Sequence, residues 1–258
     1  MLSARLPFLL LVTLFLALAG QAQAADTAFG KWAAIVIAGD WRGSGGGATE
    51  AFDNARHDVS AELVRLGFSP AKILQYSVRP ERYARDRPEK SDIKAIFEGL
   101  TTLTSRGPEG CLVYLTSHGM PQGVVVDQSI LPPDILAAML DRTCGTRPTI
   151  AVISACFSGV FVPDLSAPNR MVLTAARPDR TSFGCGESNR YPFFDECFLQ
   201  NAPSARNFAS LAGQVRGCVA EREIKEGIRP PSEPQLFIGP QLRPVLPLYA
   251  FPVRAPSP

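Results

Sequence analysis

The sequence predicts an α/β fold in which a mostly parallel sheet is covered by helices. Apolar runs of strand length recur along the chain without alternating polar residues, and helical patterns lie between them. Hydrophobic residues make up 46% of the chain, which is enough for a large core. Strands that do not alternate are typical of sheets buried on both faces, and strand–helix alternation produces right-handed crossovers between parallel strands.

Four apolar runs rich in β-branched residues predict the strands of this sheet. They cover residues 32–38, 73–77, 112–116 and 150–154. A fifth run, at 171–174, adds a further strand.

Apolar residues at helical spacing predict the intervening helices. The three patterns are Phe52, Val59, Leu63 and Leu66, then Ile93, Ile96, Phe97 and Leu100, then Ile135, Leu136, Met139 and Leu140. Two further helices are predicted over 194–199 and near 208–219. The Pro-rich segment 229–258 is interpreted as extended surface chain or a hairpin that wraps the domain.

The first 24 residues have the pattern of a secretory signal peptide. Arg5 supplies positive charge, an apolar run covers 6–19, and Ala22-Gln23-Ala24 is a small-residue cleavage site. The run is shorter than the roughly 20 apolar residues of a membrane-spanning helix. We therefore expect a signal peptide over 1–24, a single domain over 25–258, a secreted or periplasmic location, and no membrane attachment after cleavage.

Charge and composition do not point to a nucleic-acid, metal or cofactor partner. The formal net charge is +2, and acids and bases are scattered without the basic blocks typical of nucleic-acid binding. With two His and no C-x-x-C motif, a zinc site is poorly supplied. We expect no nucleic acid, metal or cofactor, and the oligomeric state stays open.

Six cysteines in an exported chain permit disulfides. Cys111 and Cys144 each precede a predicted strand and can be bridged if those strands are neighbours. A second pair is available among Cys185, Cys197 and Cys218, which leaves one thiol besides Cys156. The pattern does not choose among the pairings.

Two predicted strands end in residues with catalytic chemistry. The run 112–116 leads through Ser117 into His118-Gly119, and the run 150–154 leads into Ala155-Cys156. If these strands are adjacent, His118 and Cys156 face each other at the carboxyl edge of the sheet, where reacting groups collect. An imidazole within reach of a thiol removes its proton, and the amides of Gly119 and Cys156 are placed to bind an oxyanion.

These two motifs, Ser-His-Gly and Ala-Cys-x-Ser-Gly, each after an apolar strand, resemble the legumain family of cysteine peptidases, relatives of the caspases. The resemblance implies a caspase-like three-layer sandwich with a mostly parallel central sheet flanked by helices. It also implies that His118 and Cys156 are catalytic in a cysteine endopeptidase acting on a polypeptide substrate.

Smaller matches extend the resemblance to the S1 pocket. The segment 53–57 resembles the family's segment whose Arg-His lines S1, which implies that role for Arg56 and His57. The stretch 174–185 and Phe194-Asp195 resemble the part that supplies a Ser and an Asp, which implies Ser182 and Asp195. Ser154 stands where the family often has an acid that reads the P1 amide. We expect a preference for Asn, or Asp under acidic conditions, that is looser than in the family.

Other interpretations of the same residues stay open. The scaffold is also compatible with a non-catalytic exported module that binds peptides, and relatives of the family join peptides as transamidases or ligases. Gly43 to Gly47 with Ala48 fits a dinucleotide fingerprint, but no acidic residue ends the second strand. A loop beside the active site is the better interpretation.

Overall fold

The computed structural model describes residues 27–253, so the signal peptide predicted over 1–24 lies outside the described residues. In chain order the strands are β1 (Trp32–Ala38), β2 (Ile73–Ser77), β3 (Glu89–Lys90), β4 (Gly110–Thr116), β5 (Gly119–Met120), β6 (Gly123–Val126), β7 (Ser129–Leu131), β8 (Thr149–Ser154), β9 (Arg170–Thr174) and β10 (Gln235–Ile238). The helices are α1 (Ala51–Arg65), α2 (Ile93–Thr104), α3 (Pro133–Thr143), α4 (Phe161–Leu165), α5 (Phe193–Asn201) and α6 (Phe208–Lys225).

A central sheet with the strand order β10-β9-β8-β4-β1-β2-β3 organises the molecule. All of its strand pairs are parallel except β10 with β9. Every residue of β1, β4, β8 and β9 is buried, which is why their sequences show no polar alternation.

Alternate residues of each strand feed two separate cores. Trp32, Ala34 and Val36 of β1 pack with α1, α5 and α6 on one face. Ile35 and Ile37 pack with α2, α3 and α4 on the other. The predicted three-layer α/β fold is confirmed.

Two features of the sheet region went beyond the prediction. β5, β6 and β7 form a separate antiparallel sheet directly after His118. The Pro-rich segment contributes β10, which extends the central sheet as its antiparallel edge strand. Among residues 27–253, no helix combines the length and apolar character that crossing a bilayer requires.

Disulfides join Cys111 to Cys144 and Cys197 to Cys218. The first ties the start of β4 to the end of α3, and the second ties α5 to α6. Such cross-links stabilise a fold mainly by restricting the unfolded chain. Cys156 and Cys185 are free.

Candidate active site

His118 and Cys156 lie at the same edge of the central sheet. β4 and β8 are adjacent and parallel, and their last residues, Thr116 and Ser154, are register partners. His118 follows β4 and Cys156 follows β8, so both leave the sheet at its carboxyl edge. Both line one cavity of about 660 Å³. The structure thus brings together the two residues on which the sequence interpretation depends.

The surroundings of His118 determine which ring nitrogen can act as a base. Its Nε2 lies 2.8 Å from the carbonyl oxygen of Arg42, and its ring packs edge-on against Phe52. A carbonyl oxygen only accepts hydrogen bonds, so Nε2 carries the proton that it donates. Nδ1 of the neutral imidazole is then the free acceptor.

Cys156 is held in a tight turn. The next residue, Phe157, has a φ of 56°, in the left-handed region that few non-glycine residues occupy. Its N–H donates to the Arg180 carbonyl at 2.7 Å, which supports this conformation. Strained backbone of this kind collects at functional sites. The turn presents the Cys156 thiol to the cavity instead of burying it in the core.

The Cys156 sulfur is hydrogen-bonded to Ser182. The Ser182 N–H donates to Sγ at 3.3 Å, and the Ser182 carbonyl oxygen and hydroxyl lie 3.4 and 3.7 Å from it. Ser182, predicted as a substrate-binding residue, is therefore in the cavity and in contact with the nucleophile candidate. The Ser182 N–H and carbonyl therefore hold the Cys156 sulfur in place within the cavity.

Gly119 is packed against the turn that carries Cys156. A Cβ at this position would overlap the Cys156 carbonyl oxygen, so a larger residue would push the two segments apart. Val125 N–H donates to the His118 carbonyl, which makes His118 and Val125 a hydrogen-bonded pair of the β5–β6 hairpin. Gly119, opposite Val124, is then a non-hydrogen-bonded position whose N–H points away from β6.

Arg42 and Asp40 form an ion pair in the wall of the same cavity. Arg42 Nε lies 3.0 Å from Asp40 Oδ1, and Nη2 lies 3.2 Å from Oδ2. The Asp40 carboxylate is almost fully covered, whereas 40% of the Arg42 side chain is exposed. The hydrogen bond and the charge of Asp40 raise the Arg42 pKa, so the cavity presents a permanent cation.

Arg56 does not line this cavity, contrary to the pocket assignment. It is fully buried on α1 and forms ion pairs with Asp53 and Asp86 at 2.9 and 3.0 Å, and a short hydrogen bond with Gln75. His57 points to a different surface, where its Nδ1 contacts Asp86 at 2.8 Å. The helical position of these residues turns them toward β2 and the segment around Asp86 and away from His118.

Asp195 and Ser154 also lie away from the cavity. Asp195 is fully buried in the first turn of α5, and the Ser154 hydroxyl donates to its Oδ2 at 2.9 Å. Ser154 is 2% exposed. These two residues contact each other beneath the strand ends, so neither can reach a substrate side chain.

The cavity wall also contains residues that were not predicted from the sequence, chiefly Asp40, Arg42 and Cys185. Asp40 and Arg42 follow β1, so they leave the sheet at the same carboxyl edge as His118 and Cys156. The rule that reacting groups collect where parallel strands end could therefore have identified them. Gly43, Ser44 and Gly46 also line the cavity, in agreement with a loop beside the site. Within residues 27–253 no cluster of three or more His, Cys, Asp or Glu side chains is arranged to hold a metal ion.

Comparisons with known proteins agree with this arrangement. The model of the Peptidase C13 family, the legumain family, matches residues 89–213, which include His118 and Cys156. The crystal structure of caspase-1 from Spodoptera frugiperda is similar in fold, with a TM-score of 0.60 and 14% identity over 83% of this chain and 88% of that chain. A search of curated proteins found no significant match. The resemblance to the legumain family and the caspase-like fold are therefore confirmed.

Proposed function

We propose that this legumain-like cysteine peptidase of the caspase clan is an endopeptidase in which Cys156 is the nucleophile and His118 the general base. The observation that carries the proposal is that both residues leave adjacent parallel strands and line one cavity. A thiol nucleophile beside an imidazole base is the arrangement that covalent acyl transfer requires.

The reaction follows from the hydrogen bonds around the two residues. Nδ1 of His118 accepts the Cys156 proton while Nε2–H stays bound to the Arg42 carbonyl. The thiolate attacks the scissile carbonyl, and the N–H groups of Gly119 and Cys156 bind the resulting oxyanion. His118 then protonates the leaving amine as the peptide C–N bond breaks. Water, deprotonated by His118, finally hydrolyses the thioester and regenerates the thiol.

Thiol alkylation tests the nucleophile without a known substrate. Burial raises the pKa of Cys185 to about 11, and the nearby Cys156 adds to the effect, so Cys185 is an internal reference for a slowly reacting thiol. At neutral pH we expect iodoacetamide to label Cys156 at least about tenfold faster than Cys185, since the thiolate is the reactive species. His118→Ala should slow the labelling of Cys156 at least about tenfold and leave the labelling of Cys185 unchanged, so this variant tests activation by His118. Equal labelling of the two thiols would contradict the proposal.

Peptide cleavage tests the activity itself. Incubation with a broad peptide library should give products with the wild-type chain and none with Cys156→Ala. An added amine distinguishes the two acyl acceptors: only hydrolysed product counts against ligation, a reaction known within the family. Cleavage that survives in Cys156→Ala would rule out this nucleophile.

For the P1 side chain we retain the preference for Asn or Asp and assign its recognition to Arg42 in place of Arg56. Arg42 presents exposed guanidinium N–H groups beside Cys156 and Ser182. A carboxylate or amide oxygen accepts from a guanidinium, whereas Lys or Arg at P1 would be repelled. Because Asp195 is outside the cavity, cleavage after Asp no longer requires acidic conditions.

We also propose that the protein is exported, on the basis of the pattern in residues 1–24. The mass of the mature N-terminus after expression in a host with a secretion pathway tests this. A protein that begins at Ala25 agrees with cleavage, and retention of residues 1–24 opposes it.

A further inference from the structure

A buried carboxylate connects the two strands that carry the dyad. Oδ2 of Asp195 accepts hydrogen bonds from the hydroxyls of Thr116 at 2.7 Å and Ser154 at 2.9 Å, and Oδ1 accepts from Tyr114 at 2.5 Å. Thr116 and Ser154 are opposite each other as the last register pair of β4 and β8. One carboxylate oxygen thus bridges the strands at their ends.

This bridge lies very close to the reacting groups along the chain. Thr116 is two residues before His118, and Ser154 is two residues before Cys156. The Ser117 N–H also donates to the Ser154 carbonyl at 3.0 Å, so the two strand ends remain paired up to the dyad. Any change in the spacing of Thr116 and Ser154 is transmitted directly to His118 and Cys156.

An ordinary core position does not account for a carboxylate here. Asp195 is completely buried, and among the described residues no cation forms an ion pair with it. A buried carboxylate without a cation is unfavourable unless hydrogen bonds replace its hydration. Three hydroxyls from β4 and β8 provide those bonds, so the carboxylate and the strand ends depend on each other.

We propose that Asp195 is a positioning residue that fixes the spacing of His118 and Cys156 by holding the ends of β4 and β8 together. The inference rests on the proposed function of the dyad and gives Asp195 a role without substrate contact. Asp195, Tyr114, Thr116 and Ser154 are called the strand clamp below.

Ionisation of Asp195 should control the strand clamp. Burial raises the pKa of Asp195 to about 6, although the three hydroxyl donors oppose this shift. Tyr114 is the ionisable side chain in contact with it, and burial raises the Tyr114 pKa well above its usual value, so Tyr114 remains a donor. Once Asp195 is protonated, it must itself donate a hydrogen bond, and one of the hydroxyls loses its acceptor. The strand clamp is therefore complete above a pH of about 6 and weakened below it.

The test compares Asp195→Asn with wild type over a range of pH. Asn approximates the shape of protonated Asp, and its amide nitrogen only donates. The measured quantity is the rate constant for iodoacetamide labelling of Cys156, followed by protein mass, together with kcat and KM for a cleaved peptide. The ratio of the wild-type labelling rate to that of Asp195→Asn should rise from about one at pH 5 to about tenfold or more at pH 7.5. The ratio of the two kcat values should rise in the same way, since small displacements of reacting groups have effects of this size. KM should change little.

Two further variants keep the test decisive if Asp195→Asn does not fold. Thr116→Val and Ser154→Ala each remove one donor to the carboxylate, which should raise the Asp195 pKa and move the midpoint of the labelling profile to higher pH. Thr149→Val is the matched control, because it removes a buried hydroxyl from the opposite end of β8. It should leave the midpoint unchanged.

The possible outcomes separate this inference from the proposed function. A pH-independent ratio for Asp195→Asn, or midpoints unmoved in both hydroxyl variants, would overturn the positioning role. Wild-type protein that cleaves no peptide but shows labelling dependent on the strand clamp contradicts the peptidase proposal and supports the positioning role. Peptide cleavage with a pH-independent ratio does the reverse.

Discussion

Two arginine clusters in this molecule use the same chemistry with opposite accessibility. Arg42 pairs with Asp40 in the cavity wall and leaves 40% of its side chain exposed. Arg56 pairs with Asp53 and Asp86 and is completely covered. Both guanidinium groups make charge-assisted hydrogen bonds. Only Arg42 is accessible from the cavity, so solvent access, and not the quality of the ion pair, is the reason for proposing Arg42 and not Arg56 as the recognition residue.

The largest expected effect is on stability and concerns the buried cluster around Arg56. Arg56→Met removes the cation from Asp53, whose pKa burial already raises, and leaves a buried carboxylate with only neutral hydrogen-bond partners. Breaking a buried ion pair in this way costs about 3–5 kcal/mol. Denaturant unfolding followed by circular dichroism measures the loss. In the matched variant Arg42→Met, Asp40 keeps two backbone N–H donors, and we expect a loss of about 1 kcal/mol or less. Equal losses in the two variants would remove the distinction between the clusters.

A second prediction extends the comparison to Asp195. This buried carboxylate has hydroxyl partners, and in the part of the chain that the structure describes no cation forms an ion pair with it. Its folded-state pKa of about 6 lies above the value of about 3.9 in an unfolded chain. The folded state therefore binds the proton more tightly. The stabilising contribution of this proton is fully present below pH 4 and is lost as the pH rises from 4 to 6, an effect of roughly 3 kcal/mol.

Asp195→Asn cannot ionise, so its free energy of unfolding should increase relative to wild type as the pH rises. The difference between the two proteins should shift by roughly 3 kcal/mol from pH 4 to pH 7. Urea titrations at four or five pH values measure it. A constant difference would show that folding does not raise the pKa of Asp195. Protonation thus stabilises the fold while weakening the strand clamp, and the two readouts should change in opposite directions.

A third prediction concerns the effect on catalysis of the exposed cluster of Arg42 and Asp40. Arg42→Met should lower kcat/KM for a peptide with Asn or Asp at P1 by about tenfold to a hundredfold, the equivalent of one or two charge-assisted hydrogen bonds. The same variant should have little effect on a matched peptide with Ala at P1. Arg56→Met, assayed at a temperature where it remains folded, should keep the wild-type ratio of the two peptides. A change in that ratio in Arg56→Met but not in Arg42→Met would restore the original assignment of the pocket.

The sequence predicted best what the parallel sheet itself determines. The predicted strands at 32–38 and 73–77 coincide with β1 and β2, and the predicted ends of β4 and β8 placed His118 and Cys156 at one edge. Strand direction and burial on both faces leave little freedom there. The short strands of the β5–β7 sheet were missed because two to four residues carry too little periodicity to register.

The S1 assignment was the weaker part, because it depended on helices. A residue on α1 or α5 can face the cavity or the core according to how the helix packs, and spacing alone does not settle its rotation. Arg56 and Asp195 both turned inward. The disulfide pairing was likewise undetermined by sequence, since it depends on which strands and helices meet in space.

The smallest expected effect lies at the fully accessible end of the comparison, at Glu187. This carboxylate accepts from the Gly47 N–H at 2.9 Å and approaches Gly43 and Gly45, so it holds the glycine loop against the opposite cavity wall. Hydrogen bonds from its own N–H and from the N–H groups of Gly47 and Gly45 lower the Glu187 pKa. The contact between Glu187 and Gly47 is therefore complete at neutral pH and is lost only as the pH falls below the usual range of Glu, the reverse of Asp195.

Because Glu187 is exposed to water, Glu187→Ala should raise KM by only about twofold with kcat unchanged. Glu187→Gln, which keeps an acceptor oxygen, should restore the wild-type KM. Steady-state kinetics between pH 5 and 8 should give a constant ratio of wild type to Glu187→Ala, and a ratio that changes near pH 6 would mean that the loop, and not the strand clamp, is the acid-sensitive part of the site.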